Sequence, residues 1–246
     1  VITGIVIALP EELLTLTQKK ISKGDHCYIT DKLIVAYSGA GSLNAKVASE
    51  LLIAKGANQL ISWGCAAALD GSLKSGDLVL ADKLIDVENV EFNVNVDWHG
   101  HVKKSLTKHV VVKTGGLAES LSIVSSSKDK KKLSALTGAV ALDMESIAIA
   151  KIAMEHSLPF LVIRVIADTV NMNLPQAINY SLNTQGEIVM KKLLLFLLLH
   201  PAELPDLIKL GLHFNAAKKT LSSIAIHLEQ LTNFDLSIAT SQKIDL

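Results

Sequence analysis

The sequence predicts an α/β fold: one domain with a mixed, mainly parallel central sheet, helices on both faces, and a helical C-terminal extension. Three observations predict it. Ile2–Leu9 (ITGIVIAL), Gln59–Trp63 and Phe160–Ala167 (FLVIRVIA) are predominantly apolar on both alternating faces, as strands covered on both faces are. Helical stretches at Asn44–Lys55 and Glu145–His156 alternate with them. Of 246 residues, 49% are hydrophobic and 20% charged, which supplies one substantial core and excludes general disorder.

The elements follow in order. The first strand ends at Pro10-Glu11-Glu12, where a helix can begin. Tyr28–Thr30 and Leu33–Tyr37 read as a hairpin around Asp31-Lys32. Ser38-Gly39-Ala40-Gly41-Ser42 is a strand-to-helix turn before the Asn44–Lys55 helix. Gln59–Trp63 runs into Gly64-Cys65-Ala66-Ala67-Ala68. Asp77–Ile85, Val110–Val112, Leu121–Val124 and Val140–Met144 are the remaining strand candidates before Phe160–Ala167. Asp86–Lys108, with Trp98, His99 and His101, reads as an excursion or lid. The tail is helical over Ala177–Leu199, Glu203–Leu212 and Asn215–Leu231, punctuated by Pro201 and Pro205. The economical division is a core over residues 1–199 and a helical extension over 200–246 packed on the same domain.

Charge and composition narrow the function classes. Lys+Arg and Asp+Glu are both 24, so a general nucleic-acid binder is not expected. Arg164 is the single arginine, and arginine is the usual bidentate anion clamp. Cys27 and Cys65 give neither a disulfide framework nor a zinc pattern, so no metal is expected and a reducing, cytoplasmic compartment is. The start has neither the basic residues nor the small-residue cleavage site of a secretory signal. Leu193–Leu199 (LLLFLLL) is the most lipid-like stretch, yet a bilayer needs roughly 20 apolar residues.

In open parallel sheets the ligand lies beyond the carboxyl ends of the strands. That rule selects Pro10–Glu12, Ser38–Ser42, Gly64–Ala68, Met144–Glu145 and Asp168. Each also has a plain structural use. Asp168 can cap a helix before Thr169. Glu145 can complement a helix dipole, and Glu11 and Glu12 can be solvated first-turn acids. Cys65 is more readily a small buried thiol than a nucleophile. The turn containing Gly41, and Cys65-Ala66, offer N–H groups that could hold phosphate or water. A dinucleotide fingerprint is not met, because the third glycine is missing. Arg164 reads as a structural ion pair on the same face as Asp168 by alternation. Lys128–Lys132 (KDKKK) reads as a solvated face.

Five segments occur together in a recognisable order: GIVIALPEEL, SGAGSLNAKVASELL, SWGCAAALDGSLKSGDLVLAD, ALDMESIAIA and FLVIRVIAD. The set resembles the nucleoside phosphorylase and nucleosidase superfamily, and looks most like the methylthioadenosine/adenosylhomocysteine nucleosidases. The resemblance covers Val1 to about Leu199. The tail LPDLIKLGLHFNAAKKTL is absent from typical nucleosidases and looks like that of the hopanoid-associated branch.

The resemblance implies roles residue by residue. Asp168 is the general acid that protonates a departing purine. Glu145 holds the ribose hydroxyls, with Met144 packing on the sugar. Glu12 activates water, although Pro10 stands where typical nucleosidases are acidic. Ser125–Ser127 corresponds to the base-lining segment, with Ser126 the expected contact, but it lacks an aromatic for stacking. Cys65, Ala66 and Ala67 replace the family's usual Ser and Gly, and Gly41, Cys65 and Ala66 are substrate contacts. The implied activity is cleavage of the N-glycosidic bond of an adenine nucleoside, adenosylhopane on the narrower match, by hydrolysis. Phosphorolysis, with phosphate as co-substrate, is the alternative. A catalytically idle nucleoside-binding module is the non-enzymatic one. No cofactor is implied. A homodimer is, and the apolar C-terminal helices could rest on a membrane surface.

Overall fold

The computed structural model of the chain describes residues 1–181, 183 and 189–234. Strand β1 (Thr3–Ile7) is wholly buried and leads into a one-turn helix, α1 (Pro10–Leu13). Pro10 opens that turn because its fixed φ and missing N–H suit the first helical position. β2 (Asp25–Thr30) and β3 (Leu33–Tyr37) form the expected hairpin. α2 (Ser42–Ala54) follows the Gly-rich turn, and β4 (Gln59–Ala68) continues through Gly64 into the small-residue run. Next come β5 (Leu78–Ile85), β6 (Glu91–Asn93), α3 (Val96–Leu106), β7 (Val112–Glu119) and α4 (Ser127–Thr137). β8 (Ala141–Asp143), α5 (Ser146–Glu155) and the fully buried β9 (Phe160–Asp168) complete the sheet and its cover. The C-terminal helices are α6 (Gln176–Ser181), α7 (Met190–Leu199), α8 (Leu204–Ala225) and α9 (Leu228–Thr232).

The nine strands form one sheet in the order β2-β3-β1-β4-β8-β7-β5-β6, with β9 bridging β4 and β5. β4, β8, β7, β5 and β9 therefore close into a ring. β1·β3, β1·β4, β4·β9, β5·β7 and β7·β8 pair parallel. β2·β3, β4·β8, β5·β6 and β5·β9 pair antiparallel. The sheet is thus mixed, and the expectation of a mainly parallel one is too strong. Two of the ring's five joints, β4·β8 and β5·β9, are antiparallel.

Four local expectations are corrected. Leu121–Val124 is a loop: Ser120 N makes the last rung, to Asp143 O at 2.8 Å, and β8 ends there. The Asp86–Lys108 excursion carries a helix, α3, and is no lid. Trp98 is buried and donates Nε1–H to Leu231 O at 2.8 Å; His101 Nε2 meets Gln230 O at 3.0 Å. Of the predicted Ala177–Leu199 helix the described residues show two separate pieces, α6 and α7, with Asn183 and Val189 non-helical, and residues 182 and 184–188 lie outside the described set. The next two predicted helices merge largely into α8, because nothing between Leu212 and Asn215 breaks a helix.

Ala217, Leu221 and Ile224 of α8 lie in the same apolar core as β1, β4, β5 and β9. Among the described residues no helix is long and apolar enough to cross a membrane.

Candidate active site

β1, β3, β4 and β9 run parallel, so their carboxyl ends open on one side. A cavity of about 1220 Å³ lies there. Glu12, Gly41, Cys65, Ala66, Met144, Glu145 and Asp168 all line it. Seven of the eight singled-out positions, dispersed over most of the chain, are thus brought together. Ser126 is not: it caps α4, its hydroxyl accepting Asp129 N–H at 3.0 Å and donating to Asp129 Oδ2 at 2.6 Å. Ser122, Ile123 and Val124 take its place on the wall, with Leu174 also lining the cavity.

Glu12 sits under the cavity floor. Its Oε1 accepts Cys65 N–H at 2.7 Å and its Oε2 accepts Leu9 N–H at 3.1 Å. Burial outweighs these bonds and the nearby Arg164 charge, pushing its pKa from 4.5 up to about 7. Gly64 is required beside it. A Cβ there would overlap the Arg164 guanidinium and stand 2.6 Å from Glu12 Oε1.

Glu145 lines the cavity beside the Gly-rich turn. Gly41, at φ 96°, donates its N–H to Glu145 Oε1 at 2.8 Å. Burial, and then the Asp143 charge, raise the Glu145 pKa, while Arg164 opposes both. Asp143 holds Arg164 itself, Oδ2 to Nε at 2.6 Å, and Arg164 Nη2 lies 3.9 Å from Glu145 Oε2. Arg164 also donates to Ser62 Oγ at 2.6 Å. The single arginine is therefore an internal strut beneath two carboxylates.

Asp168 is turned elsewhere. The β4·β9 register slips between Ala66 and Ala67, so Ala67 faces Asp168 directly after Ala66 faces Ile166. Such a bulge re-aims a side chain, and simple alternation from Arg164 does not hold across it. Asp168 Oδ2 meets Lys130 Nζ at 2.5 Å. Its Oδ1 is buried with no hydrogen-bond partner among the described residues. Burial raises the Asp168 pKa, against Lys130 first and His213 second.

Residues 3–185 match the phosphorylase superfamily. The chain belongs to that family. A 5′-methylthioadenosine/S-adenosylhomocysteine nucleosidase of Staphylococcus aureus is 28% identical over 200 residues, 68% of this chain and 86% of the relative. The fold matches the futalosine hydrolase of Helicobacter pylori with TM-score 0.69 at 20% identity, covering 94% of this chain and 97% of that one. It matches a Neisseria meningitidis 5′-methylthioadenosine/S-adenosylhomocysteine nucleosidase, solved with methylthio-immucillin-A, with TM-score 0.70 at 19% identity, covering 94% and 99%. The expected superfamily and enzyme class are borne out at that level.

Within this family member one residue departs from its sequence reading. Lys130, in the run expected to be a solvated face, is fully buried. Its Nζ also donates to Thr169 O at 3.1 Å and Met172 O at 2.8 Å. The signal that marks it is helical spacing: Lys130 shares a face of α4 with Leu133, which packs on a small apolar cluster. Cys65 keeps its reading as a small thiol: burial, and then the Glu12 charge, push its pKa well above its ordinary value. Among the described residues no His, Cys, Asp and Glu group could hold a metal ion.

Proposed function

We propose that this protein hydrolyses the N-glycosidic bond of an adenine nucleoside bearing a bulky apolar 5′ group, adenosylhopane of hopanoid biosynthesis being the narrowest reading. One observation carries the reaction class: Glu12, Glu145 and Asp168, far apart in sequence, converge on one cavity. Asp168 delivers a proton to the purine N7 as the C1′–N9 bond breaks. Departure leaves an oxocarbenium-like sugar, so protonating the leaving group is the step most worth catalysing. Glu145 accepts the ribose hydroxyl hydrogens and favours positive charge in the ring. Glu12, with a pKa near neutrality, takes a proton from water as that water attacks C1′. The proton acquired by Glu12 balances the one lost by Asp168. No cofactor is needed.

Water is preferred over phosphate because Arg164 is buried and committed to Asp143 and Ser62. The Gly41 N–H, an obvious phosphate donor in the turn, is already given to Glu145.

The 5′ preference rests on cavity size and lining. About 1220 Å³ exceeds the roughly 300–1,000 Å³ that holds a drug-sized ligand. Leu43, Val47, Leu121, Leu210 and Phe214 line it, the last two from the C-terminal α8. Each methylene buried there contributes about 0.8 kcal/mol. Leu194, Leu195, Leu198 and Leu199 of α7 stay exposed, so packing on the sheet does not account for them. We assign them to a homodimer face, with a membrane surface as the competing use.

The test supplies methylthioadenosine and a 5′-polycyclic adenosine at equal concentration, with and without phosphate. We expect phosphate-independent adenine release, faster from the bulky substrate. Strict phosphate dependence, with a sugar 1-phosphate as product, overturns hydrolysis. Equal or better turnover of methylthioadenosine overturns the 5′ assignment. Binding without adenine release from either overturns the enzymatic reading.

A further inference from the structure

We propose that Lys130 is a positioning residue for Asp168, gripping one carboxylate oxygen so that the acid's proton is carried by the other. The inference rests on the reading of Asp168 as the acid. Four observations carry it. Lys130 Nζ is 2.5 Å from Asp168 Oδ2. Lys130 is fully buried, in a helix that otherwise presents lysines to solvent. Its Nζ is fixed by two more acceptors, Thr169 O and Met172 O, which lie in the segment just after Asp168. The remaining Asp168 oxygen, Oδ1, is buried without a partner.

The grip has a chemical consequence. A carboxyl with two free oxygens can rotate, and either can carry the proton. With Oδ2 engaged by a cation, the proton is left to Oδ1. The same cation favours the carboxylate, which makes the protonated form a stronger acid and a better donor to a weakly basic purine nitrogen. The charged or titratable groups acting on Asp168 are Lys130 from α4 and His213 from α8. His213 Nδ1 is itself buried with no partner among the described residues. Of the two, Lys130 is the one in direct contact.

The experiment uses Lys130→Met, close in volume but uncharged, on the full chain, with Asp168→Asn and the double variant. Titration of Asp168 is followed by the infrared carboxyl band that Asp168→Asn removes. We expect Lys130→Met to raise that midpoint by about one pH unit or more. Turnover of the adenine nucleoside should fall at least ~10-fold with KM changed little, as for a group acting only at the chemical step. In the Asp168→Asn background Lys130→Met should cost no further activity. An unmoved midpoint, or equal losses in both backgrounds, means that Lys130 merely braces the Thr169–Met172 segment and overturns the proposal. If Lys130→Met does not fold, Lys130→Gln is read by the same band and the same criterion. The infrared midpoint needs no turnover, so a protein with no nucleosidase activity but a shifted midpoint faults the functional reading and not the pair.

Discussion

Glu12→Gln separates the working charge of the site from its cost to the fold. Glu12 is buried, and its pKa is moved from 4.5 to about 7. A carboxyl with a raised folded-state pKa contributes its full stability below the unfolded value and loses it as pH rises through the folded one. The window is therefore about pH 4.5 to 7, and the direction is loss with rising pH. The difference of about 2.5 units, at about 1.36 kcal/mol each, gives a swing of about 3 kcal/mol. Gln does not titrate. Its amide does place an NH₂ where an oxygen accepts Cys65 or Leu9 N–H, which costs about 1–3 kcal/mol at every pH. That offset cancels when the difference between variant and wild type is followed against pH. Urea unfolding of both proteins from about pH 4 to about pH 8 should show the variant gaining about 3 kcal/mol on the wild type. The same substitution should abolish activation of water, lowering turnover at least ~10²-fold. Parallel stability curves would falsify the claim that Glu12 is held near neutrality by burial.

Three further outcomes are expected. Asp168→Asn keeps shape but cannot deliver a proton, so single-turnover adenine release should slow at least ~10²-fold with nucleoside binding largely kept; near-normal turnover would remove Asp168 from the acid role. Glu145→Gln removes charge beside the developing cation, so titration calorimetry and turnover should both register a loss; a change in one alone contradicts the ribose assignment. Gly64→Ala drives a methyl into the Arg164 guanidinium and toward Glu12 Oε1 at 2.6 Å, so thermal melting should show a loss of about 1–3 kcal/mol together with reduced turnover; a fully active, fully stable variant would show that the floor of the site yields easily.

The sequence made the strands buried on both faces easy to find, because an apolar run such as FLVIRVIA has few other uses. β7 was hidden by its glycines. Gly115 has φ 156°, and a Cβ there would stand 2.7 Å from Val140 Cγ1, so close approach and not side-chain pattern selects that residue. α4 carried legible end signals, Ser126 three residues before Asp129 and Gly138 at φ 65°, but the lysine run masked them. Site residues at strand ends were legible because strand ends were. The Lys130 contact was not, since one lysine among four differs only in which way the helix face turns. The ring closure was equally hidden, because strand direction depends on pairings that no local pattern encodes.

The structure also explains why one acid of the site is poised near neutrality. Glu12, Asp143 and Glu145 all act on one cation, Arg164. Asp143 takes the direct contact at 2.6 Å, and Glu145 is left at 3.9 Å. Glu12, held by two N–H groups and with no direct ion pair among the described residues, is pushed up first by its burial, which the Arg164 charge opposes, and further by the Glu145 charge. Asp168 escapes the competition because the β9 bulge turns it to a second cation, Lys130. Two buried cations thus divide four acids into a cluster around Arg164 and a separate Lys130–Asp168 pair. That separation gives Glu12 and Asp168 different charged neighbours, which suits the opposite proton transfers that the proposed hydrolysis assigns to them.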